Sequence, residues 1–218
     1  MRLLAVRLAR SIWLFPRYFL NPKGVDTRPV FDAIKEKYTF LKTPLDNPKG
    51  MGNEELKFEF GSYAGKSGSV AIVALTLHAD GIVVDTRSST DDGDAFLEEV
   101  TMWVGNNYGL PSYKDLPLKR IYASELNVAL DKSPKIFDPK MASFLKEANS
   151  ILGKDRGGKA EFIGFQIGPD PTLTDKPAPF RFEREINTAF GENRYYSFSP
   201  TTTAVHFKLL DLLEKAIT

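Results

Sequence analysis

The chain contains no cysteine. That excludes disulfides, thiolate nucleophiles, iron–sulfur clusters and cysteine-ligated zinc together. Histidine is nearly as scarce, with only His78 and His206, so a histidine-rich metal centre is excluded too. Excess charge of one sign is also lacking. The net charge is +1, which argues against bulk electrostatic binding to nucleic acid. Long apolar runs are missing. Residues 11–16 near the start and 70–77 further on are the longest, far short of the ~20 residues a membrane span requires. Arg7 and Arg10 interrupt any apolar signal region, and no small-residue cleavage site follows. We therefore expect a cytoplasmic protein without a secretory leader. No catalytic signature is present, and no cofactor is expected.

What is present has the composition of a globular protein. The 218 residues are 42% hydrophobic and 12% aromatic. A chain of this size can bury roughly 70% of its unfolded surface and needs no staple. No Ser/Gly-rich linker divides it, so we expect one domain over residues 1–218.

Charge is unevenly placed. Residues 1–42 carry nine Lys/Arg against three Asp/Glu, and residues 80–100 carry seven acids against Arg87 alone. The two regions can pair within the chain, between copies, or remain as solvated faces. The first 25 residues hold five cations and no acid, interleaved with Leu, Ile, Val, Trp13, Phe15, Tyr18 and Phe19. Their apolar residues are not confined to one helical face, which favours a strand stopped by Pro16.

Local patterns predict the remaining elements. A helix is expected over 29–38, capped by Asp26 or Thr27 with Pro29 in its first turn. Residues 43–53 read as a loop. Alternation in Leu56, Phe58 and Phe60 marks a strand, residues 61–68 a turn, 70–78 a second strand and 82–86 a third after the Asp80-Gly81 dipeptide. A helix over 94–107, a strand over 118–130 and a helix from Pro139 capped at Gly153 follow. Strands are expected at 160–167, 180–186 and 194–198, with a proline-rich loop at 168–179. A last helix reaches Ile217, with Val205, Leu209, Leu212, Leu213 and Ala216 as its apolar face. This order defines an α+β fold, a mostly antiparallel sheet with about four helices packed on one face.

Few residues suggest chemistry. Gly61 to Ser67 resembles a phosphate loop but has three residues between its glycines instead of four, and a strand follows it. A glycine-rich hairpin explains it better. Asp85, Asp91 and Asp92, with Asp94 and Glu98 nearby, form an acidic stretch that could hold Mg²⁺ or Ca²⁺, or serve a two-metal site. Helix capping explains the same residues. His206 falls on the apolar side of the last helix near its N-terminus. It is expected neutral, either as a structural histidine or as an acid/base with a neighbouring hydroxyl. Aromatic and basic residues interleave at 180–184 and 194–198, but Glu183 and Glu185 offset the charge.

The functional expectation is a non-enzymatic interaction or structural subunit of a larger, possibly self-associating assembly. Its docking arm would be the N-terminal segment, through Arg10, Trp13, Phe15 and Arg17. The partner would be another protein or a second copy. Nucleic acid is not expected, nor membrane beyond peripheral contact by residues 1–20. The alternative is a metal-dependent hydrolase or nuclease using the acidic loop 85–98. Burial of Trp13 and Phe15 separates core from docking arm.

Overall fold

A computed structural model describes residues 1–44, 55–66, 68–131, 139–156 and 161–217, with the side chains of 139–140 and 152–156 left aside. The expected loop at 43–53 lies largely outside these residues, as does Asp138. Among the described residues there are four α-helices and eight strands. The strands are β1 (Arg2–Leu14), β2 (Leu56–Gly65), β3 (Gly68–His78), β4 (Gly81–Thr86), β5 (Lys119–Ala129), β6 (Gly164–Ile167), β7 (Phe180–Arg184) and β8 (Arg194–Ser199). The helices are α1 (Arg28–Lys37), α2 (Thr90–Tyr108), α3 (Pro139–Arg156) and α4 (Thr203–Ile217). Hydrogen bonding orders the strands β2-β3-β4-β1-β5-β8-β7-β6. The pairs β1–β4, β2–β3, β3–β4, β6–β7 and β7–β8 are antiparallel. This is an α+β fold on an antiparallel sheet. None of the described helices is long and apolar enough to cross a membrane.

The chain groups into two compact units, one of Val6–Ser124 with Pro200–Thr203, the other of Met1–Ala5, Glu125–Ser199 and Ala204–Thr218. In the first, β2, β3 and β4 form the expected meander, and β1 pairs with β4. Period-two alternation explains β1. Ala9, Ser11, Trp13 and Phe15 are buried while the residues between them are only partly so. Trp13 and Phe15 join Phe31, Phe58, Ile72, Phe96, Leu97 and others in one core cluster. Trp13 and Phe15 are therefore core, and their docking role is corrected: neither ring is available to a partner.

Two further expectations change. The stretch 61–68 is mostly strand, since β2 continues to Gly65, which pairs with Gly68. Gly61 is required there because a Cβ would lie 2.5 Å from the Phe40 ring. Helix α2 begins at Thr90, four residues early, because Ser89 caps it by accepting from the Asp92 N–H at 3.0 Å. Gly109, at φ +66°, ends it as expected. Gly93 lets α2 approach β1, and Ser11 Oγ donates to the Thr90 carbonyl at 2.9 Å.

In the second unit, α3 runs through Gly153 to Arg156, so that glycine is not its cap. Helix α4 packs through His206 and Leu210, both fully buried. Val205, Leu209 and Leu212, expected to face the core, are exposed. The part of the apolar arc that carries His206 is buried, and a hydrogen bond to Ser197 makes burial of that ring tolerable. On α3, Met141, Phe144 and Ile151 are exposed as well.

Candidate functional site

The first unit contains an apolar cavity of about 580 Å³. Its floor is the inward face of the meander, with Phe58 from β2, Leu75 and Leu77 from β3 and Ile82 from β4. One wall is α1, through Val30, Phe31 and Ile34; the other is α2, through Val100, Thr101 and Val104. Leu110 and Pro111, just past the end of α2, line it too. The rim comes from the segment after β1, where Pro16 ends the strand and Arg17–Leu20 form a short 3₁₀ turn. Backbone bonds hold that turn against the β3–β4 hairpin, from Phe15 N–H to Asp80 O and from Arg17 N–H to Ala79 O, both 3.0 Å.

The polar groups of the lining are few and mostly engaged. Thr101 Oγ1 donates to the Leu97 carbonyl at 2.8 Å. The Asn21 side chain closes its own loop, donating to Val25 O at 2.7 Å and accepting from Val25 N at 2.9 Å. Among the described residues Arg17 is the one charged residue of the lining, and no described acid lines it. Tyr18 is largely exposed and stacks on Phe19 at 4.3 Å. Concave, mostly apolar sites with a few polar groups are how small molecules are held.

The acidic stretch is brought to other uses. Arg10 donates to both oxygens of Asp85, at 2.6 and 2.7 Å, so Arg10 belongs to a cross-strand pair rather than a docking face. Asp92 accepts from Ser89 Oγ at 2.9 Å at the head of α2, and Asp91 is exposed in the same turn. Asp94 accepts from Trp13 Nε1 at 2.9 Å and from the Tyr122 hydroxyl at 2.7 Å. Arg120 bridges Asp94 and Glu98 and lies over the Trp13 ring at 4.7 Å. Burial and the bond to Asp94 push the Tyr122 hydroxyl up to about 12. Among the described residues, no three acidic or histidine side chains converge as a metal site.

His206 does meet a hydroxyl. Its Nε2 lies 2.8 Å from Ser197 Oγ, and Phe180 packs edge-on against its ring. Ser197 Oγ also donates to the Arg181 carbonyl at 2.9 Å. A hydroxyl has one proton, so with that proton on Arg181 O, His206 must donate from Nε2. The serine is thus an acceptor toward His206, the reverse of an activated nucleophile. Both residues are fully buried. Burial pushes His206 down from 6.5 to about 4, leaving it neutral. His78 sits half-buried at the end of β3, opposite Gly81.

The aromatic and basic residues of β7 and β8 pack against one another. Arg181 lies over Phe198, Arg184 over Tyr195, and Arg194 pairs with Glu185 at 2.8 Å.

The cavity was not anticipated from the sequence. Its lining comes from separated elements, each of which reads as ordinary core, and no spacing links them. The chain matches no protein-family model, no curated protein and no solved structure.

Proposed function

We propose that the protein is a non-enzymatic binding protein whose first unit takes up a small, largely apolar molecule. The observation that carries this reading is the cavity between α1, α2 and the meander. Its volume of about 580 Å³ falls in the ~300–1,000 Å³ range of small-molecule sites. The described lining is mostly apolar side chains, which suits binding. The test is titration with Nile red, an uncharged apolar dye, into the full chain. Saturable one-to-one fluorescence enhancement is expected. Val104→Phe, which narrows one wall, should abolish it while leaving the circular dichroism spectrum unchanged. An absence of saturable binding, or binding indifferent to Val104→Phe, would overturn the reading.

A second reading is favoured by α4. Val205, Leu209, Leu212 and Ala216 repeat at intervals of four, three and four residues along its exposed side. That is the spacing of a helix–helix seam, and a seam of this kind is self-complementary in a two-fold dimer. The partner on this reading is a second copy of the chain. It retains the expected self-associating subunit but moves the contact from the N-terminal segment to α4. Light scattering behind size-exclusion chromatography should give a dimer that Leu209→Glu converts to monomer. A monomer for the parent chain at high micromolar concentration would remove it.

A further inference from the structure

We infer that the ligand of the first unit's cavity is an amphipathic acid, with its anionic head on Arg17 and its apolar body against the meander. This rests on the binding role proposed above and adds the chemical class. The charge pattern of the lining is one-sided: among the described residues Arg17 is present and no Asp or Glu accompanies it. The other arginines of this unit that sit beside acids are consumed by them, Arg10 by Asp85, Arg28 by Asp26 and Arg120 by Asp94 and Glu98. Arg17 makes no ion pair with any described residue, and it is half-buried. A guanidinium partly withdrawn from water has a planar fork of donors suited to a carboxylate, and the resulting bonds are charge-assisted and bidentate.

Position supports the same ligand. The Arg17 N–H is bonded to the Ala79 carbonyl at 3.0 Å, which fixes the residue where β1 leaves the sheet, at the rim. Beyond it, Phe58, Leu75, Ile82 and Phe31 offer no partner to a second charge. A molecule charged at both ends, or polar throughout, would leave groups unpaired against these side chains, at a cost of roughly 1–3 kcal/mol each. One acidic end and an apolar remainder satisfy both parts of the lining.

The experiment compares dodecanoate, dodecanol and dodecylammonium, each below its micelle concentration, by displacement of Nile red from the full chain. Dodecanoate is expected to bind at least tenfold tighter than dodecanol, and dodecylammonium weakest. Arg17→Gln should remove the difference between dodecanoate and dodecanol while leaving dodecanol affinity within twofold. If dodecanol binds as tightly as dodecanoate, the acidic head is wrong although the cavity still binds. If the preference for dodecanoate survives Arg17→Gln, the assignment to Arg17 is wrong. If no chain binds and Nile red does not either, the binding role itself fails.

Discussion

Lowering the pH should destabilise the folded chain through His206 well before the carboxylates titrate. The ring is fully buried, and its pKa is pushed from 6.5 down to about 4. A histidine in the unfolded chain takes up its proton near pH 6.5, whereas the folded one resists until about pH 4. Between these values the unfolded state binds more protons, so stability falls as pH falls through that window. The size follows from linkage. From pH 7.5 to pH 5, the difference in protonation is worth about 2 kcal/mol. That is a sizeable fraction of the ~5–15 kcal/mol available to a folded domain. The assay is urea unfolding of the parent chain and of His206→Gln at several pH values across that window. Glutamine can still donate an amide N–H toward Ser197 but cannot ionise. The parent should lose about 2 kcal/mol more than the variant over this interval. Because the chain has only two histidines, proton NMR can follow each ring separately, and the His206 resonance should not shift above pH 5. Parallel stability curves for parent and variant, or a His206 resonance titrating near pH 6.5, would refute the argument.

Three other outcomes follow from packing and pairing. Gly93→Ala should destabilise although alanine is the better helix former by about 1 kcal/mol. Its Cβ would lie 2.8 Å from Ser11 Oγ and 3.2 Å from Val84 Cγ1, and such overpacking costs about 1–3 kcal/mol; a raised urea midpoint would contradict this. Leu210→Ala should cost about 2–5 kcal/mol as a core truncation, and Lys208→Ala, exposed and outside the proposed seam, should stay within about 0.5 kcal/mol. Similar losses for both would show that α4 does not pack through its His206 face. Millimolar Mg²⁺ or Ca²⁺ should leave the thermal midpoint unchanged, because Asp85 is held by both nitrogens of the Arg10 fork and Asp92 by the Ser89 cap; a clear upward shift in differential scanning fluorimetry would reinstate a cation at the acidic loop.

Elements were legible in the sequence wherever one local rule applied. Alternation gave β2, the Asp80-Gly81 turn gave the β3–β4 hairpin, and Pro29 and Gly109 marked helix ends. Errors arose where tertiary packing overrode the local rule. Gly61 reads as turn chemistry, yet the Phe40 ring above it requires a residue without a Cβ within a strand. Gly153 reads as a cap, yet a glycine inside a helix costs only about 1 kcal/mol and α3 passes through it. The apolar arc of helix α4 includes His206, which is buried, and also Val205, Leu209 and Leu212, which are exposed, because a hydrophobic wheel does not show which part of a wide arc meets Ser197. The candidate site was less legible than the fold. Of its residues only Arg17 is among the candidate docking residues, and for a different reason. The cavity is a property of spacing between elements, which periodicity within each element does not contain.

The N-terminal segment shows how such charge patterns are to be read. Its arginines and the acids at residues 80–100 suggested complementary docking surfaces. Register and packing give some of these groups internal partners instead. Arg10 stands opposite Asp85 in the β1–β4 ladder, and Asp94 holds the Trp13 indole from α2. Alternation in β1 then explains how charge and bulk coexist in one segment: Trp13 and Phe15 turn inward, and Arg10 meets its carboxylate on the other face. Local excess charge is therefore weak evidence for a partner until internal pairs have been subtracted. Of the cations that the subtraction leaves in this segment, Arg2, Arg7 and Lys23 are exposed, and Arg17 is half-buried where β1 has ended and a cavity opens. A cation that pairs with no described residue, beside an apolar hollow, is a sign of a different kind, because the missing counter-charge and the missing apolar volume can be supplied by the same molecule.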